Sequence, residues 1–189
     1  NAILERRGAR TAMITTAGFR DILELRRIRI PLSYDLEWEK PPPLAERALR
    51  FEVKERLDNF GAVLTPLDLS GLDKIVETCI SEKVAAIAVC FLHSYRNGDH
   101  ERQVRDFIAP KLPGVHISLS SDILPELQEF ERASTTVVNA YVAPLIAEYL
   151  ANLRRKLDDI KALAPILVMQ SNGGLVPSQT ASERPVSII

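Results

Sequence analysis

The stretch Val84–Phe91, VAAIAVCF, constrains this chain more than any other. It is apolar from end to end, so a strand built from it offers no face to water. It also falls well short of the roughly 18 residues that a membrane span needs. A short strand of this kind is covered by helices on both sides, and its neighbours supply them. Upstream, Asp68–Glu82 is amphipathic, with Leu72, Ile75, Val76 and Cys79 on one stripe. Downstream, Asp99–Ile108 opens on acidic residues that suit the positive end of a helix dipole. Further strands are expected at Thr11–Thr15, Val115–Leu119 and Pro165–Met169. This alternation predicts an α/β fold.

The other segments give more local expectations. Asn1–Arg7 reads as the end of a helix stopped by Gly8. Thr16 suits the cap of a helix with Phe19, Ile22 and Leu23 on one face. Arg26–Glu46 is a proline-rich excursion with Pro31, a proline triplet at 41–43 and the only tryptophan, Trp38. Leu49–Val53 and Ala62–Leu64 suggest two strands joined through LDNFG. Ser118–Val142 carries the densest set of polar groups. Ser120, Ser121 and Asp122 are cap-type residues, and Pro125 suits a first helical turn. Phe130, Val137, Val138 and Tyr141 then form a core stripe, with Glu131, Ser134, Thr135 and Asn139 beside it. Pro144 should break or kink that path before a helix that aligns Leu145, Tyr149, Leu153 and Leu157. Ile188–Ile189 ends in strand-like sequence and Asn1 is no initiator methionine, so the chain reads as an excised piece.

Charge excludes some functions. A net charge of −1 and a pI near 6.4 give no field for nucleic acid or an anionic membrane. The N-terminus has no signal-peptide core. Cys79 and Cys90 sit in apolar sequence and read as buried thiols of a reducing cytosol rather than a disulfide.

Candidate chemistry clusters at the ends of the expected strands. His93 and His100 flank SYRNGD, which is no recognised zinc spacing, and no metal site is expected. His93 follows the apolar strand, where open α/β sheets bind ligands, so it is either a positioning or proton-transfer group or a structural histidine. TTAGFRD places Thr16, Gly18 and Asp21 after a strand in the same way; a plain capped helix is the alternative. Ser171, Asn172, Gly173 and Gly174 form either an anion-facing turn or an ordinary Asn-Gly turn. Arg132 pairs with Glu131 on a helix flank or binds an anion. Cys90 should be inert, since apolar surroundings raise a thiol pKa.

Four blocks in order, NAILERRGARTAMITTAGFRDILELRR, VCFLHSYRNGDHE, SLSSDILPELQEFERASTTVVNAYVAPL and VMQSNGGL, resemble the hydantoinase/oxoprolinase family. LELRRIRIP departs from the family pattern, which usually has a Gly there and a Gln near the arginines. The resemblance implies a partial actin-like ATPase fold, of the sugar kinase, Hsp70 and actin type. Residues 1–122 would be the latter part of the first lobe, with the excursion at 26–46, and 123–189 the helix-led start of the second. It implies ATP-coupled hydrolysis of a small cyclic amide through phosphorylation of the ring carbonyl. Alternatives are an ATP-dependent carboxylase subunit or a non-catalytic assembly module. Asp21 and His93 are then the expected catalytic cleft residues. Thr16, Gly18, Arg132, Asn139 and Tyr141 lie on the substrate side, and Ser171–Gly174 near the nucleotide. The family's Asp-Gly-Gly-Thr phosphate loops do not occur in the chain. ATP and Mg²⁺ therefore belong to the full-length protein, and tight ATP binding by this piece alone is not expected. A B-type subunit or domain is the implied partner, homo-oligomerisation is left open, and the location is cytoplasmic.

Overall fold

The computed structural model describes residues 2–27 and 37–188. Asn1, Ile189 and the part of the proline-rich excursion over 28–36, Pro31 included, lie outside the described residues. The central element is a parallel sheet of β1 (Thr11–Thr16), β2 (Ala45–Val53), β5 (Ala86–Cys90) and β6 (His116–Leu119), in the order β2-β1-β5-β6. Every residue of β1 and β5 is buried, as the apolar run demanded.

The two faces of the sheet differ in side-chain size. On one face Ile14, Leu49, Ile87 and Val89 meet α2 (Leu72–Ser81) and α3 (Asp99–Ile108) through Leu72, Ile75, Val76, Cys79, Val104 and Ile108. On the other face Met13, Ala86, Ala88 and Cys90 meet Leu23 of α1 (Ile22–Leu25) and Ala133, Val137 and Ala140 of α5 (Glu129–Asp159). Alanine against alanine lets α5 seat close to the strands. The α2 stripe and the extent of α3 match the sequence reading, because an amphipathic period and an acidic first turn are both strong local signals.

Several local expectations fail for identifiable reasons. Residues 2–6 form turns rather than a helix end, with Arg7 N–H donating to the Ala2 carbonyl. Thr16 caps nothing: it is the last residue of β1, and α1 starts later, after Asp21, without a side-chain cap. Leu49–Val53 does not join the hairpin, since β2 pairs in parallel with β1. The hairpin is instead β3 (Arg56–Leu57) with β4 (Val63–Thr65), closed by Asp58, whose carboxylate accepts from the Phe60 and Ala62 amides.

Pro125 lies in the link between α4 (Ser120–Ile123) and α5, not in a helical turn. Pro144 breaks nothing. The helix runs unbroken from Glu129 to Asp159, losing only the amide that proline lacks. Leu145 and Tyr149 on its distal part are exposed. The chain ends with the hairpin of β7 (Leu167–Met169) and β8 (Leu175–Pro177), then α6 (Ser178–Glu183) and a 3₁₀ turn at Pro185–Ser187 in place of the strand expected there.

Candidate functional site

The carboxyl ends of β1, β5 and β6 are tied together by two buried carboxylates. Glu101, in the first turn of α3, is fully buried. Its Oε1 accepts from the Phe91 amide at 2.9 Å and the Ser120 hydroxyl at 2.6 Å, and its Oε2 accepts from the Ser121 amide at 2.8 Å. Three donors satisfy a carboxylate that burial would otherwise penalise heavily. Glu55, just after β2, accepts from the Thr16 hydroxyl on Oε1, and its Oε2 lies 2.8 Å from His100 Nδ1. The Leu92 amide donates to Thr16 Oγ1 at 3.0 Å, which closes the link between β1 and β5. Sequence reasoning missed Glu55 and Glu101. One signal was visible: Glu101, Val104 and Ile108 share the inward stripe of α3.

These ties shape two loops. After β1, Gly18 adopts φ +90°, a conformation that needs glycine, and its amide donates to Glu52 Oε1 at 2.6 Å. Asp21 is gripped by Arg47, whose Nε and Nη2 donate at 2.8 and 3.0 Å. The Arg47 hydrogen bonds hold the Asp21 carboxyl below the usual carboxylate range. After β5, His93 sits in the left-handed region at φ +57°, unusual for a residue with a side chain. Its Nδ1 is buried without a hydrogen-bond partner among the described residues, and its ring lies 6.0 Å from that of Tyr95.

Arg132 does not lie on a solvated flank. It is fully buried, and its two Nη atoms donate to the Phe91 carbonyl at 2.8 Å and the Glu126 carbonyl at 3.1 Å. Its guanidinium lies 5.5 Å from the Tyr95 ring centroid. Glu131 turns away from it to Arg27, at 2.7 Å. Arg132 therefore clamps the His93 loop to the start of α5.

The remaining sequence candidates lie apart from these loops. Asn139 donates to Ser118 Oγ and to the Glu183 carbonyl and accepts from the Val186 amide, so it fastens the C-terminal segment to β6. Tyr141 is buried under Gly8, where an added Cβ would come within 1.9 Å of its ring. The Ser171–Gly174 turn spends three of its four amides within the chain. Ser171 donates to the Ser187 carbonyl, Gly173 to the Gln170 carbonyl and Gly174 to Asn172 Oδ1. No phosphate cradle is formed there, and the Gly18 amide is likewise taken by Glu52. With these amides engaged, the two turns do not fit a nucleotide phosphate chain. Among the described residues no cluster of three or more His, Cys, Asp or Glu side chains could hold a metal ion.

A cavity of about 500 Å³ opens beside the first loop. Gly18, Phe19, Arg20, Asp21, Ile22, Leu25, Arg26, Arg47, Glu52 and Glu129 line it. It is the one open space that touches the TTAGFRD segment among the cavities described.

Residues 1–112 match the hydantoinase/oxoprolinase N-terminal region, and residues 132–189 match the hydantoinase/oxoprolinase domain. The chain belongs to the hydantoinase/oxoprolinase family. It is 43% identical to an uncharacterized protein of Methanocaldococcus jannaschii over 94% of this chain and 26% of that one. It is 31% identical to the caprolactamase subunit alpha of Pseudomonas jessenii over 100% of this chain and 27% of that one. Against 5-oxoprolinase 1 of Arabidopsis thaliana the figures are 34%, 96% and 16%. The chain thus spans about a quarter or less of these family members. Its fold matches the crystal structure of the ATP-dependent caprolactamase from Pseudomonas jessenii with a TM-score of 0.89 at 28% identity, over 99% of this chain and 28% of that one. It also matches nucleotide-free acetone carboxylase with a TM-score of 0.85 at 23% identity, over 100% of this chain and 28% of that one, a likeness of fold. No helix among the described residues is long and apolar enough to cross a membrane.

Proposed function

We propose that the complete polypeptide couples ATP hydrolysis to the opening of a small cyclic amide, and that this stretch supplies the ring-side part of its site. The observation that carries the reading is the fit of nearly the whole chain to the ATP-dependent caprolactamase, at a TM-score of 0.89. In this reading residues 1–122 close the first lobe of an actin-like ATPase and 123–189 begin the second. Asp21 and His93 are the polar groups that the loops after β1 and β5 turn toward the cleft, with Thr16 and Gly18 forming the first loop. Arg132, Asn139 and Tyr141 hold that cleft in shape, and Ser171–Gly174 lies toward the nucleotide.

In this reading the phosphates of ATP, with Mg²⁺, are held by other parts of the polypeptide, in keeping with the engaged amides of Ser171, Gly173, Gly174 and Gly18. A B-type subunit completes the enzyme. The test is ATP turnover by the complete polypeptide with its partner, measured with caprolactam, 5-oxoproline, or acetone plus bicarbonate. Turnover dependent on a cyclic amide is expected; turnover dependent only on the ketone and bicarbonate would replace this reading with a carboxylase.

A further inference from the structure

We propose that the cavity beside the loop after β1 binds the ring itself, as a small uncharged cyclic amide with its carbonyl toward Arg20 and its N–H toward Glu52. This inference rests on the proposed cyclic-amide reading and names the residues that would recognise the ring.

The cavity's charges argue against a polyphosphate. Three arginines and three carboxylates line it, so the cations have no excess with which to neutralise a phosphate chain. Asp21 and Arg47 cancel one another through their two hydrogen bonds. Its volume of about 500 Å³ suits a small molecule, and Phe19, Ile22 and Leu25 give it apolar wall. A cyclic amide presents that same mixture, with hydrocarbon on one side and one acceptor and one donor on the other.

The polar groups that remain match this pair. Arg20 forms no ion pair among the described residues, and its guanidinium makes one hydrogen bond, from Nη2 to the Arg47 carbonyl at 2.8 Å. Its Nε is buried and meets no acceptor among the described residues. The carbonyl oxygen of a ring seated on this wall is an acceptor for the guanidinium's remaining donors. Glu52 spends one carboxylate oxygen on the Gly18 amide and keeps the other for a donor. A site built to satisfy an amide's own hydrogen bonds discriminates strongly against rings that lack them.

The experiment uses the complete polypeptide and two readouts, caprolactam binding by calorimetry and KM values for caprolactam and ATP. Arg20→Gln is expected to weaken caprolactam binding and raise its KM roughly tenfold or more, leaving the ATP KM within about twofold. Arg20→Lys should recover part of the loss. Ile22→Trp, which fills the cavity from its wall without removing a charge, should abolish lactam binding while the melting temperature is kept. Cyclohexanone, which keeps the carbonyl but lacks the N–H, should bind more weakly than caprolactam. Unchanged lactam affinity in both variants, or a parallel rise in the ATP KM, overturns the assignment. Lactam binding without turnover would sink the proposed activity and keep the ring site; turnover untouched by Arg20→Gln and Ile22→Trp would do the reverse.

Discussion

Glu55 Oε2 lies 2.8 Å from Nδ1 of His100, and both side chains are almost completely buried at the carboxyl end of the sheet. Through the Thr16 hydroxyl on its other oxygen, Glu55 joins an edge strand, the central β1 and helix α3 at one point. Glu55→Ala strands both buried partners. It should cost about 3 kcal/mol, which in a chain of this size lowers the melting temperature by about 6–12 °C in calorimetry. An effect under about 1 kcal/mol would mean that the two partners rebond elsewhere.

Among the described residues Arg132 is buried with carbonyl partners and no carboxylate. Burying a guanidinium is costly, so a hydrophobic residue of similar volume replaces it with less damage than a truncation does. Urea denaturation should place Arg132→Met closer to wild type than Arg132→Ala, the latter losing about 3 kcal/mol or more. Reversal of that order would show the polar clamp to outweigh packing.

His116 titrates low because burial disfavours its charged form, with Glu183 opposing the shift weakly. The unfolded chain then binds a proton that the folded chain refuses, so stability rises with pH through this region. Wild-type stability should fall as pH drops below about 6.5, and His116→Gln should flatten that slope in denaturation midpoints taken between about pH 5 and 7.

Burial pushes the Cys79 thiol up to about 11 and raises that of Cys90 as well. Neither thiol should react with a colorimetric disulfide reagent at neutral pH until denaturant is added. Rapid modification of one thiol in the native protein would place it in an open site.

The turn amides of Ser171, Gly173, Gly174 and Gly18 are committed within the chain. The 189-residue chain on its own should therefore show no saturable ATP binding in equilibrium dialysis, with or without Mg²⁺. Saturation at micromolar ATP would require a cradle that opens on binding.

The parts of the fold that periodicity governs were legible. Leu72, Ile75, Val76 and Cys79 of α2 and the strand after them follow from patterns that admit one reading. Boundaries set by single hydrogen bonds were not: Thr16 looks like a cap in sequence, but its hydroxyl is taken by a carboxylate that lies 39 positions away. Asn139 was visible as a polar group beside an apolar stripe and Arg132 as a charge on a helix flank, yet their burial was not. The strand-end cluster on β5 and β6 that covers them comes from outside the helix. The Arg20–Glu52 cavity was half legible, since TTAGFRD stood out, while Glu52 reads as an ordinary strand residue until β2 lies beside β1.

The seam of Ala86 and Ala88 against Ala133 and Ala140 carries few ridges, so side-chain interlocking does little to stop α5 from sliding along the sheet. The Ala9 amide on the Tyr141 carbonyl ties α5 to the approach to β1, and against β5 and β6 its axial position is pegged by two polar contacts, Arg132 on the Phe91 carbonyl and Asn139 on Ser118 Oγ. These stand two helical turns apart, about 10 Å along the axis. Pull both pegs, and little but the Ala9 tie would keep the rod from shifting along its smooth track while its hydrophobic seat stayed intact.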